Sequence, residues 1–381
     1  MATQPTSVYD IMLRHNKQDF KQYNASHRYR KWMGLNQNAI IQRVKGLETD
    51  GEKVRLHFTD DIGRRNIGTG TMEGNETTWG TDYYDMRPYW TREAIKLKKS
   101  DAKKAVTNQA SIQRQSLTTY IKNMEYDAIL NALDAVAVDD AVFSETGAAD
   151  GSTLAHSQQV TFLEASEAQR DKFLTDNAER IVIGADAGNV VAGDMSASLA
   201  NLTVADDSIS IRFLERMKRL ARQDQWAAGG ARPIRPVESK EGGKDYFKVV
   251  LGSNAFEQLS NDEDMKRYNT DARLRGVENH PIFEDGDLLY KGMMICEDPR
   301  QFTYAGLGNG GANIEPVKLL GAQALGAAIG QNMRYTKSDN RDYEFHDGVG
   351  VEAQYSFEKL FYRGGNRADK THGMIEGYIA F

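Results

Sequence analysis

The sequence predicts a mixed α+β fold, and three features of the chain indicate that class. Apolar and polar residues alternate over 53–58 and at the end of 91–98, with the period of two that is typical of half-buried strands. Apolar residues recur at spacings of three, four and seven over Asp101–Val138, as on one face of a long helix. Short strands and helices then alternate in the second half of the chain, as in a compact domain.

The chain begins with a predicted amphipathic helix over residues 7–23. The next stretch, Arg28–Met33, is both basic and aromatic. It allows two interpretations: an arm that lies along an acidic neighbour, or a nucleic-acid contact made by Arg28, Arg30, Lys31 and Trp32. The net charge of −6 favours the arm.

A loop of about thirty residues separates the two predicted strands within 52–99, which is unusually long for a connection between paired strands. Such a loop is disordered, functional or covered by another surface. Disordered segments contain few aromatic residues. This loop and its flanks carry many large apolar side chains, namely Trp79, Tyr83, Tyr84, Met86, Tyr89 and Trp90. We therefore expect the hairpin to pack against a surface that its own chain does not supply, as in an assembly protein.

The middle of the chain is predicted to contain three further elements. The helix over Asp101–Val138 would be longer than ~50 Å if it were unbroken. Residues 139–205 are rich in Ala, Gly, Asp and Ser, and within them we predict a helix at Gln169–Ala178 and a strand at Arg180–Gly184. Ser208–Gln223 is predicted to be an amphipathic helix with a basic face. We interpret that face as solvated or as forming salt bridges between subunits, in preference to a DNA contact.

The second half of the chain is predicted to be mostly strand. The predicted strands are Tyr246–Gly252, Met293–Glu297, Val317–Ile329, Gly348–Tyr355 and Met374–Ala380. Asn254 is predicted to open a helix over Ala255–Ser260. We expect the last two strands to return to the sheet that lies beside the long helix.

Several functional classes lack support in the sequence. The mild net charge of −6 argues against a protein that binds nucleic acid tightly through phosphates. Cys296, the single cysteine, lies in an apolar run, so a buried inert thiol is expected and the usual multi-cysteine zinc sites are excluded. The N-terminus has no secretion signal, and no apolar run reaches the ~20 residues that span a membrane.

The sequence contains no catalytic, cofactor-binding or metal-binding motif in the sequence context that such a site requires. Gly306–Gly311 matches the letters of a dinucleotide-binding loop, but Glu315 and Pro316 follow it and predict a strand where that site needs a helix. Ala185–Asn189 lacks the ligand spacing of a calcium loop and is interpreted as a turn. We therefore predict no catalytic, cofactor-binding or metal-binding residues, and an enzyme with an unrecognised site is the most distant alternative.

Four blocks in a fixed order carry a resemblance to a known family. They are Gly68–Thr78 with Met72–Glu76 at its centre, the long helix, Arg273–Asp298, and Leu319–Ala324. Because these blocks occur in this order, the chain resembles the major capsid proteins of tailed bacteriophages, and it is most similar to their N4-like branch. The resemblance implies the Hong Kong 97-type capsid fold. That fold would divide the chain into an N-terminal arm (1–51), an extended loop (52–99), a peripheral domain with a long spine helix (100–140 and 331–381) and an axial domain (141–330).

The resemblance also implies a function without catalysis. The chain would assemble with itself into hexamers and pentamers that form an icosahedral shell around double-stranded DNA, which it would contact without sequence specificity. It would be located in the virion, assembled in the host cytoplasm and not bound to a membrane. A decoration or cement protein, a portal and a separate scaffolding protein are partners that such a shell allows. The alternatives are an encapsulin-like compartment or another structural protein of the virion.

The residues expected at contacts between subunits lie in the loop and the arm. The aromatic ones are expected to be anchors, and the glycines are expected to shape the loop tip. The full set is Arg28, Arg30, Trp32, Arg64, Arg65, Gly68, Gly70, Glu73, Gly74, Asn75, Glu76, Trp79, Tyr83, Tyr84 and Trp90. Some tailed-phage shells are cross-linked through a loop lysine and an asparagine. Because no lysine occurs between Lys53 and Lys96, we predict no such bond through this loop, and Asn75 is interpreted as a turn residue.

Overall fold

The structure of this protein is a computed structural model. It describes residues 28–44, 54–59, 81–98, 109–138, 159–224, 232–238, 245–267, 288–341, 346–362 and 369–381. The predicted helix over 7–23 lies outside these residues.

The helices and strands follow one another in mixed order. The helices are α1 (Gln109–Leu133), α2 (Glu167–Asp176), α3 (Met195–Ala200), α4 (Ile211–Arg222) and α5 (Ser253–Asn261). The strands are β1 (Met33–Gly34), β2 (Ile41–Val44), β3 (Val54–Thr59), β4 (Thr81–Met86), β5 (Tyr89–Lys98), β6 (Ala135–Ala137), β7 (Gln159–Thr161), β8 (Ile181–Ile183), β9 (Val237–Glu238), β10 (Asp245–Leu251), β11 (Leu288–Tyr290), β12 (Met293–Glu297), β13 (Ile314–Leu320), β14 (Leu325–Arg341), β15 (His346–Lys359), β16 (Phe361–Tyr362), β17 (Lys370–Thr371) and β18 (Met374–Ala380). Short 3₁₀ helices occupy Arg28–Trp32, Ala187–Asn189 and Asn309–Gly311.

A five-stranded sheet in the order β1-β2-β14-β15-β5 carries the long helix α1 on one face. Val351, Tyr355 and Phe357 alternate along β15 and pack with Leu117 and Ile121 of α1 in one apolar cluster. The predicted long helix is therefore confirmed over 109–133, while residues 101–108 lie outside the described ones. Its predicted end at Val138 is wrong. The chain leaves the helix after Leu133 because the buried residues Ala135–Ala137 pair with β7 as a strand.

The predicted hairpin pairs differently from our expectation. Strand β3 pairs with β4, from Val54 opposite Met86 to Thr59 opposite Thr81. The predicted returning strand, β5, instead pairs with β15, from Tyr89 opposite Tyr355 to Lys98 opposite His346. The chain passes from one sheet to the other at Arg87 and Pro88, where proline removes a backbone donor and suits the end of a ladder.

A seven-stranded sheet in the order β11-β12-β10-β13-β18-β8, with β9 beside β10, forms the second unit. One face presents a cross-strand row of Ile295, Val249, Leu319 and Ile375, and helices α4 and α5 pack on this face. The opposite face carries Val250, Cys296 and Lys318 and is turned towards α1 and the five-stranded sheet.

Two expectations about the last strands are wrong. Met374–Ala380 is a strand, but it lies between β13 and β8 in the seven-stranded sheet and not beside β15. The predicted single strand over Val317–Ile329 is two strands in different sheets. The chain crosses between the sheets at residues 321–324, where Gln323 has a φ of 57° and cannot continue a strand.

The other predicted elements agree with the structure within a few residues. Helix α2 begins with a capping box, in which the Ser166 hydroxyl accepts from the Gln169 N–H and the Gln169 side chain accepts from the Ser166 N–H. Ser210 caps α4 in the same way by accepting from the Phe213 N–H. Asn254 does not open α5: the helix starts at Ser253, two residues before the predicted start at Ala255, and its N-cap Gly252 supplies no side-chain hydrogen bond.

Candidate assembly surface

The basic and aromatic stretch near the N-terminus is fastened to its own chain. Trp32 is 9% exposed, and its ring packs edge to face with Tyr29 at 5.0 Å between centroids. The Lys248 ammonium lies 4.4 Å from the centroid of the Trp32 ring. Trp32 therefore has little surface left for a neighbour, and its assignment as a contact residue is corrected. Arg28 is half-buried and Arg30 is exposed.

Arg30 and Tyr29 anchor this stretch on α1 and on the loop after β12. The Arg30 guanidinium donates to both carboxylate oxygens of Glu125, with 3.1 Å from Nε to each oxygen. The Tyr29 hydroxyl donates to Asp298 Oδ2 at 2.5 Å, and the Tyr126 hydroxyl donates to Oδ1 of the same carboxylate. Burial, together with this carboxylate, raises the pKa of both tyrosines. An arm that crosses a neighbouring subunit would therefore have to start before Tyr29.

The hairpin of β3 and β4 has one buried and one exposed side. Tyr84 is 1% exposed, and its hydroxyl donates to Glu358 Oε2 at 2.8 Å and accepts from Gln159 Nε2 at 2.5 Å. It therefore holds the hairpin on its own chain and is not an anchor for a neighbour, which corrects that prediction. Tyr83 is 52% exposed, and the Arg55 guanidinium lies 3.9 Å from its ring centroid.

The outer strand β5 of the five-stranded sheet exposes side chains on the face opposite α1. Trp90 lies on this face and is 49% exposed. Next to it the Glu352 carboxylate accepts from Arg334 Nη2 at 2.7 Å and from Gln331 Nε2 at 3.2 Å. These hydrogen bonds lower the pKa of Glu352. Exposed aromatic side chains beside a satisfied polar ladder suit a surface that another protein covers.

The predicted contact residues therefore differ in their exposure to solvent. Tyr83 and Trp90 expose large side chains, whereas Tyr84 and Trp32 are internal. The loop members of the set lie outside the described residues, namely Arg64, Arg65, Gly68, Gly70, Glu73, Gly74, Asn75, Glu76 and Trp79.

A buried ionic network joins the two sheets. The sequence analysis did not predict it. Lys318 Nζ donates to Glu376 Oε2 at 2.7 Å and to Asp134 Oδ1 at 3.3 Å. Lys359 Nζ donates to Glu376 Oε1 at 2.5 Å and to the Ala135 carbonyl at 2.5 Å. All four charged side chains are at most 3% exposed. Lys318 and Glu376 belong to the seven-stranded sheet, Lys359 ends β15, and Asp134 follows α1.

The network contains two ammonium groups and two carboxyl groups. Burial raises the pKa of Asp134, and within the described residues its Oδ2 has no hydrogen-bond partner. Burial alone would raise the pKa of Glu376, but the two ammonium groups outweigh burial and lower it. Burial lowers the pKa of Lys359 to about 8. Aromatic rings surround the charges: Tyr378 donates to Glu376 at 3.1 Å, and Tyr304, which donates to Asp134, stacks on Phe162. A charged residue inside an apolar strand, as at Lys318 and Glu376, is the sequence signal that would have revealed this network.

The motifs that suggested other chemistry take ordinary conformations. Gly308 is followed by one 3₁₀ turn at Asn309–Gly311 and then by β13, so no helix begins there. Residues 187–189 form a 3₁₀ turn. Cys296 is buried, as expected. Across the described part of the chain, no three or more His, Cys, Asp or Glu side chains are placed to hold a metal ion. Among those residues no helix is both long and apolar enough to cross a membrane.

Comparison with solved structures first defines the class of protein. The chain has the fold of phage capsid proteins. It superposes on the capsid asymmetric unit of cyanophage Pam1 with a TM-score of 0.80 at 22% identity, over 100% of this chain and 99% of that one. It superposes on the capsid of Ralstonia phage GP4 with a TM-score of 0.69 at 17% identity, over 98% of both chains. The acid-stable capsid of Helicobacter pylori bacteriophage KHP30 gives 0.65 at 12% identity, over 100% of this chain and 99% of that one.

The sequence then defines the family. Residues 5–379 match the phage capsid protein family, so the chain belongs to it. No curated protein matches the chain. The chain is thus a bacteriophage capsid protein and a structural component of the virion.

Proposed function

We propose that the chain is a major capsid protein whose hexamers and pentamers tile an icosahedral shell around double-stranded DNA. The observation that carries this proposal is the family match over residues 5–379. The similarity in fold to three phage capsids over nearly the whole of each chain supports it. Closed assembly of one chain requires heterologous contacts whose rotation closes into rings. Each contact can be weak, because one subunit makes several at once.

The proposal extends to the Hong Kong 97-type fold and its N4-like branch. The five-stranded sheet with α1 along it corresponds to the peripheral domain and its spine helix. The seven-stranded sheet with α4 and α5 corresponds to the axial domain, to which β18 also belongs. The hairpin of β3 and β4 is the base of the extended loop, with Tyr83 exposed on the hairpin and Trp90 exposed on the following strand β5.

The role that we propose is structural and not catalytic. The group of ionisable side chains around Glu376 is sealed from solvent and joined by ion pairs. A group without access to solvent offers no place for a substrate. The shell would be held by non-covalent contacts at the loop, because the loop between Lys53 and Lys96 contains no lysine.

The state of assembly of the purified chain tests this function. We expect closed particles of megadalton mass, or six-fold rings, in negative-stain images and in sedimentation at near-neutral pH and moderate salt. Particles boiled in SDS should migrate as the 42.6 kDa monomer. A chain that stays a monomer or dimer at high concentration would contradict the proposal.

A further inference from the structure

The layer of helices on the seven-stranded sheet carries opposite charges over its two sides. Helix α4 packs over β18, where Phe213 and Met217 lie on Gly377. Helix α5 packs over β12, which is near the other end of the sheet order. Both helices bury their apolar residues in the same cluster on the same face of the sheet. Their polar sides therefore point away from the sheet, that of α4 near its β8 end and that of α5 near its β11 end.

The outer side of α4 is basic. Arg212, Arg216 and Arg219 are spaced by four and three residues and so lie along one side of the helix, which we call the basic stripe. Arg216 leans towards the β8 side, where Nη1 donates to the Ala185 carbonyl at 3.5 Å. Arg212 and Arg219 are exposed, and within the described residues neither forms a salt bridge, while Arg212 attracts the Glu215 carboxylate at longer range. Glu215, the one acid of α4, pairs instead with Lys291 at 2.6 Å.

Exposed acids lie on α5 and at the start of the helical segment 263–267 that follows it. Glu257, Glu263 and Asp264 are exposed there, and we call them the acidic end; the exposed bases Lys266 and Arg267 follow them in the same segment. Asp262 between them is used locally, because its carboxylate accepts from the N–H groups of Asp264 at 2.8 Å and Met265 at 3.4 Å. Within the described residues, none of the three acids of the acidic end has an ion-pair partner.

We propose that the basic stripe of one copy binds the acidic end of a second copy, head to tail. This inference rests on the proposed shell function, since the occupant is another copy of the chain. The two surfaces lie over different strands of one sheet, so a contact between copies leaves the other surface of each copy free for the next. A heterologous contact repeated in this way forms a ring if its rotation closes. Opposite potentials steer the encounter and disfavour wrong registers.

Duplex DNA is the competing occupant of a basic stripe, and the charges favour protein. A DNA-binding face needs a concentration of basic charge that the acidic end would oppose on the same face of the sheet. The complementary acids are present in the same chain and in the same layer. Because the side chains are exposed, the contact should weaken as ionic strength rises.

Charge exchange tests the pairing in nuclease-treated protein. We expect R212E/R219E and E257K/E263K each to reduce the yield of rings and particles at least tenfold, and the combination of all four substitutions to restore it. R114E/K122E on α1 is the matched control, since both residues are exposed and the same number of charges is reversed. It should assemble as the wild type does. Thermal melting of each variant separates loss of folding from loss of assembly.

Disulfide trapping gives a second readout. Arg219→Cys combined with Glu263→Cys should yield a ladder of covalent oligomers on oxidation, whereas each single variant should not, because Cys296 is buried. Assembly of R212E/R219E at wild-type yield, failure of the four-fold variant to recover, or absence of the ladder would overturn the pairing. Loss of duplex binding by R212E/R219E with unchanged assembly would assign the stripe to DNA. If the wild type itself forms no particles, it is the shell function that fails.

Discussion

Glu376 shows how a single residue connects two structural units. Its two carboxylate oxygens accept from Lys318 of the seven-stranded sheet and from Lys359 at the end of β15. A buried ion pair adds little stability over an apolar core of the same shape, but removing one partner leaves an uncompensated charge. The network therefore specifies how the sheets meet more than it strengthens the fold.

Glu376→Gln should lower the free energy of unfolding by about 3–5 kcal/mol, because two buried ammonium groups lose their shared partner. Urea denaturation followed by circular dichroism measures this loss. Glu93→Gln is the matched control, since Glu93 is exposed on β5 and its carboxylate accepts a hydrogen bond from the neighbouring Ala94 N–H. A loss for Glu376→Gln no larger than that of the control would contradict a structural role for the network.

His372 makes stability depend on pH. Burial, assisted by the nearby Arg180 and Arg232, lowers its pKa from 6.5 to about 4. Between these values the unfolded chain binds more protons than the folded chain, so stability falls as the pH falls through this window. His372 is half-buried, so we expect a contribution of about 2 kcal/mol or less.

His372→Gln removes this titration and should flatten the fall in stability between the two pKa values. Urea denaturation of the wild type and the variant at several pH values gives the two slopes. The carboxylates are the same in both proteins, so their contribution to the pH dependence cancels when one slope is subtracted from the other. Equal slopes would show that His372 titrates normally in the folded protein.

At the scale of elements, the position of α4 depends on one glycine. A Cβ atom on Gly377 of β18 would lie 2.5 Å from Phe213 Cζ and 3.2 Å from Met217 Sδ. Such distances are too short for a packed core, so the absence of a side chain lets the helix approach the sheet closely.

Gly377→Ala should destabilise the fold by about 1–3 kcal/mol through overpacking. Adding Phe213→Leu should recover part of this loss by making room, which a double-mutant cycle measures. Gly188→Ala is the control, because its nearest contact would be an ordinary 3.8 Å to the Asp186 carboxylate. Strict additivity of the two core substitutions would show that the Phe213 ring is not what the new methyl group meets.

At the scale of the whole molecule, we expect the loop between β3 and β4 to stabilise the shell. Replacing residues 61–79 with a short Gly/Ser linker keeps both strands and leaves Tyr84 in place. Capsomers should still form, but closed particles should be lost or should dissociate at lower temperature, because contacts that act together compound their effects. Negative-stain imaging and thermal dissociation measure this. Particles of unchanged stability would show that the loop does not have the role that we assign to it.

Local periodicity was sufficient to predict several elements and the mixed class. Helix α4 and strands β12 and β18 were predicted within a few residues, because apolar spacing and capping residues act over only a few positions. The order of four motifs was sufficient to predict the capsid family, to which the chain belongs. The aromatic content of the loop region did not separate Tyr83 and Trp90, which are exposed, from Tyr84, which is buried.

The pairing of strands and the burial of particular side chains were decided by tertiary structure. Periodicity shows that a strand has two faces, but it does not identify the neighbouring strand. Strand β3 pairs with β4 and not β5, and β18 joins the seven-stranded sheet. Tyr84 and Glu358, whose contact buries the hairpin, are 274 positions apart in the chain, and Lys318 and Asp134 are 184 apart. The local pattern does not specify contacts across such separations, because they depend on how complete sheets pack together.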